Sequence, residues 1–103
     1  MFTKQVEEKC VKKCREVFGD NLDAIYYYGA KDFNDDINNG ILSFFIVYHN
    51  SFNMAHYQAI RDYLTDAGIE NNFVALIVVC DKNDPSSDLP FFERNGYIAW
   101  KRS

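Results

Sequence analysis

Leu22-Asp23-Ala24-Ile25-Tyr26-Tyr27-Tyr28-Gly29-Ala30 and Gly40-Ile41-Leu42-Ser43-Phe44-Phe45-Ile46-Val47-Tyr48 are the two stretches on which the fold turns. The first is rich in β-branched and aromatic residues and predicts a strand over 22–28 that Gly29 breaks, with Asp20-Asn21 as the turn before it. Alternation in that strand would bury Ala24, Tyr26 and Tyr28, or the opposite set. The second is apolar on both faces from Ile41 to Tyr48 except at Ser43, the pattern of a central strand covered on two sides. Between them, residues 31–39 are polar and predict a loop with at most one helical turn around Phe33.

Outward from this pair, Val6, Cys10, Cys14 and Val17 or Phe18 recur at helical spacing behind a capping Thr3, which predicts a helix from Thr3 to Phe18 ended by Gly19. A second helix opens at Ser51 or Asn53 and runs through Asp66. Its apolar stripe is Met54, Tyr57, Ile60, Leu64 and Ala67, and Gly68 is its expected stop. Phe73 to Cys80 is another continuous apolar run, which predicts a third strand, central or near-central. After a loop around Pro85, the segment Pro90 to Gly96 suggests one or two helical turns, and Tyr97 to Trp100 a short edge strand. The fold class is therefore α/β (α+β), a mixed sheet of about four strands with two main helices in one domain spanning 1–103. A ferredoxin-like α+β sandwich is the alternative use of the same elements.

This order resembles the polymerase-β-like minimal nucleotidyltransferases. In that superfamily a strand ends in Gly-Ser, a short connection follows, and the next strand opens with Asp-x-Asp before an apolar run. Ile25 to Ala30 stands where the first strand and its Gly-Ser would be, and Gly40 to Val47 where the acid-bearing strand would be. The resemblance implies that Gly29, Ala30 and Ser43 would border a nucleotide. It also implies that the metal-holding acids have become Ile41 and Ser43, and that the third acid, placed in the first half of the third strand, falls within Phe73-Val74-Ala75-Leu76. Isoleucine cannot ligate magnesium, and a serine hydroxyl brings no charge to offset two divalent ions. The resemblance thus implies a degenerate member with no cofactor, and minimal members beside helical partners suggest a toxin–antitoxin or defence setting by analogy.

Composition narrows the other classes. A net charge of −4 with a pI near 5.0 opposes direct nucleic-acid binding, which relies on clustered cations. Lys9, Lys12, Lys13 and Arg15 are interleaved with Glu7, Glu8 and Glu16, as on a solvated helix face. With three cysteines, Cys10 and Cys14 at one-face helical spacing, and no apolar run of the length that spans a bilayer, the expectation is a cytoplasmic protein without a membrane segment. His49, His56 and Cys80 show no zinc-ligand spacing.

Three function classes follow. The first is a catalytically inactive nucleotidyltransferase-like module that binds a protein partner or itself, with Tyr26, Tyr27, Tyr28, Asp32, Asp35 and Asp36 as candidate interface residues. The second is a small acidic inhibitor of a nucleic-acid enzyme, carried by Asp32 to Asp36 with Asp81, Asp84 and Asp88. The third is an active transferase with relocated acids, for which Asp35 and Asp36 with Ser43 are the catalytic candidates. Glu70 is a further acid near the third strand, and Asp81 is a turn former.

Overall fold

The computed structural model describes residues 2–29, 40–50, 52–84 and 88–102. Helix α1 (Lys4–Phe18) begins at Thr3, whose Oγ1 accepts the Val6 amide at 3.2 Å, and a 3-10 turn at Gly19–Asn21 leads into β1 (Leu22–Tyr28). Strand β2 (Gly40–Tyr48) is followed by α2 (Met54–Asn71), opened by Asn53, whose Oδ1 accepts the Ala55 and His56 amides. Strand β3 (Phe73–Asp81), the short helix α3 (Leu89–Asn95) and β4 (Tyr97–Lys101) complete the order. Among the described residues no helix is long and apolar enough to cross a membrane.

The four strands form one mixed sheet in the order β3-β2-β1-β4. β1 runs antiparallel to both β2 and β4, whereas β2 and β3 are parallel neighbours joined through α2. An unsplit β-α-β unit and an element order of α-β-β-α-β-α-β set this sheet apart from the ferredoxin-like alternative, whose order is β-α-β-β-α-β.

Each sheet face carries its own core. On the first face Ile25, Tyr27, Leu42, Phe44 and Ile46 pack with Cys10, Cys14 and Phe18 of α1 and with Ile60 and Leu64 of α2. Phe2 closes this core, edge-on to Tyr27, Phe44 and Phe73. On the second face Ala24, Tyr26, Phe45, Val47 and Cys80 lie under Phe92, whose ring stacks on Phe45 at 4.4 Å. β1 is therefore buried on both faces up to Tyr27, not on one set of alternating positions.

The chain departs from the sequence reading in other places as well. Gly68 does not stop α2; the helix continues to Asn71 and ends at Asn72 in the left-handed conformation (φ 63°). Gly68 is instead a contact point, since a Cβ there would lie 2.4 Å from the Phe73 carbonyl oxygen. β3 is an edge strand, not a central one, because β2 alone pairs with it among the described residues. Its apolar run satisfies one covered face, while Val74, Leu76 and Val78 stay exposed on the other. Met54, the first position of the α2 stripe, is also exposed.

Two predictions follow from this packing. Gly68→Ala forces a methyl against a backbone oxygen that cannot move without displacing β3, so it is expected to cost about 1–3 kcal/mol in denaturant unfolding. Burial pushes the Cys10 and Cys14 thiols from the ordinary 9.0 up to about 12, with the Glu7 charge adding to the rise at Cys10 and Cys10 adding to it at Cys14. Above pH 9 the unfolded chain releases protons that the native thiols keep. The stability these thiols contribute is thus present below pH 9 and is lost between pH 9 and 12, by up to about 1.4 kcal/mol per pH unit for each thiol. Urea titrations from pH 8 to 11 check the sign, and Cys10 and Cys14 are expected to resist alkylation at pH 8 until the chain unfolds.

Candidate functional site

Of the positions assigned by sequence to a nucleotide cleft, Ile41, Ser43, Val74 and Leu76 share the second face of the sheet. Register sets Tyr28 beside Ser43 and Ser43 beside Leu76, with Ile41 beside Val74 in the next row. Adjacent strands lie about 4.8 Å apart, so these side chains touch as one surface. Ile41 is 57% exposed, Val74 53%, Leu76 50% and Val78 44%. Ser43 is half-buried between them. At the margin, Tyr28 meets Phe91 of α3 edge-on at 5.4 Å, and both rings are exposed.

The result is an aliphatic patch with one hydroxyl and an aromatic rim. Ile41, Ser43, Val74 and Leu76 carry no charge, and water contact with this much clustered apolar surface is unfavourable. Gly29 borders the patch with φ 128°, its backbone so close to β2 that a Cβ would lie 2.4 Å from the Ile41 carbonyl oxygen. Among the described residues no group of three His, Cys, Asp or Glu side chains converges to hold a metal ion.

Of the other sequence candidates, Tyr26 and Tyr27 are each only 2% exposed and belong to the two cores, so a role for these two rings in an interface is corrected here. Tyr28 alone of the three presents its ring to solvent. The Tyr27 hydroxyl donates to the Glu7 carboxylate at 3.1 Å, and burial raises the proton affinity of both groups. Ala30, Asp32, Asp35 and Asp36 lie outside the described residues. Glu70 lines a groove between α1 and α2, on the sheet's first face and away from the patch. Asp81 is the expected turn former, accepting the Asn83 amide at 2.9 Å.

Sequence reasoning missed one pair. At the opposite end of the β1–β2 ladder, Asp23 meets His49 Nδ1 at 2.8 Å, and Asn50 donates to Asn21 at 2.7 Å. The sequence carried no signal for it, because Asp23 falls at the register shift between Leu22, which faces Tyr48, and Ala24, which faces Val47. These contacts fasten the strand ends. A surface groove of about 540 Å³ between α1 and β4 has mixed charge, with Arg15 and Arg102 at 5.4 and 5.6 Å from the Trp100 ring. Arg102 is committed to structure there, donating to the carbonyls of Leu22, Asp20 and Gly19.

In comparison with known proteins, no family model matches this chain and no curated protein matches it.

Gly29→Ala adds both a backbone clash and an unfavourable φ, so a loss of about 2–4 kcal/mol is expected. Leu76→Lys, 50% exposed in native Leu76, is expected to change stability by less than about 1 kcal/mol. Chemical denaturation of the two variants tests whether the glycine is structural while the patch is free of structural duty.

Proposed function

We propose that this chain is a catalytically inactive protein of nucleotidyltransferase-like fold that acts as a protein-binding or regulatory module through the open part of its second sheet face. One observation carries the reading. Ile41 and Ser43, where the resemblance places two metal-holding acids, share one face with Val74 and Leu76 from the first half of β3, and none of the four side chains carries a charge. The element order agrees with the same resemblance, helix and strand, strand and helix, strand, short helix and strand.

Such a face suits protein recognition because it offers contiguous apolar area with aromatic side chains at its edge, Tyr28 and Phe91, and little desolvation cost. A nucleotide triphosphate has the opposite requirement, since its charges need cations or metal ions beside them. A toxin–antitoxin or defence role is an analogy to minimal nucleotidyltransferases of similar size and belongs to this proposal only as a setting.

Calorimetry with ATP and magnesium is expected to give no saturable heat. Nucleotide transfer that disappears when Asp35 and Asp36 are both changed to Asn would overturn the proposal in favour of an enzyme. In parallel, a partner captured by the native chain is expected to be lost with Ile41→Lys, which puts a charge on the patch, and retained with Lys12→Glu on the exposed side of α1. Retention of the partner by Ile41→Lys would exclude this face as the docking surface.

A further inference from the structure

We infer that the outer edge of β3 is a self-association site, at which two copies of this chain pair their β3 strands antiparallel about a two-fold axis and form one continuous eight-stranded sheet. This inference stands on the backbone of β3 and on the charges at its ends, and does not depend on the proposed docking face.

The direction of the backbone groups can be read from one bond. The Lys82 amide donates to the Tyr48 carbonyl at 2.7 Å, continuing the uninterrupted β2–β3 register. Successive residues of a strand turn their N–H and C=O groups to opposite sides. Even-numbered residues of β3 therefore bond to β2, and Phe73, Ala75, Ile77 and Val79 direct theirs outward. Among the described residues no strand lies on that side.

Edge strands normally carry devices against pairing, such as charges, proline, a bulge or short length. β4, the other edge, has several: it is five residues long, its register with β1 shifts, and it ends in Lys101 followed by Arg102. β3 has none over Phe73 to Cys80, which contains no charge, proline or glycine and keeps an unbroken register over its nine residues.

The ends of β3 select a second copy as the occupant. β3 ends in Asp81, and Lys82 and Asp84 follow it. An antiparallel pair with Leu76 on the axis holds the two Asp81–Asp84 turns at opposite ends, whereas a parallel pair would set these like charges side by side. In this register Val74 faces Val78 and Leu76 faces Leu76 on one side of the sheet, while Ala75 faces Ile77 on the other, so every cross-strand pair within the apolar run is apolar. Once the β3 edges are consumed, only the protected β4 edges remain among the described residues, and assembly closes at two copies.

Light scattering across a concentration series is expected to show a mass rising from 12.0 kDa to twice that value and no further. Backbone amide exchange is expected to slow by at least about tenfold with concentration at Ala75, Ile77 and Val79, whose N–H groups face outward, and to stay constant at Val74 and Val78. Ala75→Pro removes an outward N–H, leaves the β2 ladder intact, and is expected to remain a folded monomer at all concentrations. If that variant does not fold, Leu76→Lys and Leu76→Glu replace it, each expected to run as a monomer alone and as a heterodimer when mixed. A native chain that stays monomeric, exchange at Ala75, Ile77 and Val79 that ignores concentration, or growth beyond two copies would overturn the inference. Loss of dimer in Ala75→Pro with partner capture unchanged would separate this site from the docking face, where Ile41→Lys acts.

Discussion

The antiparallel pairing of β1 with β2 is the constraint on which the rest of the molecule rests. These are the two strands with neighbours on both sides, and together they present Ile25, Tyr27, Leu42, Phe44 and Ile46 to one core and Ala24, Tyr26, Phe45 and Val47 to the other. Burying large side chains on both faces fixes the register firmly, because a slip by one residue would exchange the two faces. The helices, β3 and β4 are then arranged around a pair whose orientation is already decided, and the Asp23–His49 contact fastens its open end.

Among the described residues the second face is only half covered. α1 and α2 together span the first face, but α3 has seven residues and anchors through Phe92 and Leu89 over the part of the sheet nearest Phe45. Everything beyond it, from Val78 through Leu76 and Val74 to Ile41, is left facing water. The patch is thus a product of layer geometry as much as of composition, and its exposed aliphatic side chains require either a partner or a continuing cost in hydration.

Much of this architecture was legible in the residues. Thr3 announced the first helix start and Asn53 was one of two candidates for the second, the spacing of Cys10 and Cys14 with Val17 or Phe18 announced the buried side of α1, and the aromatic run before Gly29 marked β1 over the observed bounds. The rank of β3 in the sheet was not legible, because an apolar run records that a strand is hydrophobic and not how many neighbours it has. Gly68 was misread for a related reason. A glycine near a helix end is ordinarily a terminator, and only the three-dimensional approach of Phe73 shows that its missing side chain serves packing. The candidate site was half visible: Ile41 and Ser43 could be placed, but their union with Val74 and Leu76 depends on the parallel register. The distant Asp23–His49 pair likewise needed the strand alignment before it could be seen.

The distribution of sulfur gives the fold a practical property. Cys10 and Cys14 lie in the core beneath the long helices, and Cys80 lies in the smaller one beneath α3, so the sheet itself separates them. A thiol-directed probe with mass readout would therefore act as a two-channel recorder. Labelling at residue 80 alone would announce that the short helix had lifted, whereas labelling at 10 and 14 would announce that the long layer had come away.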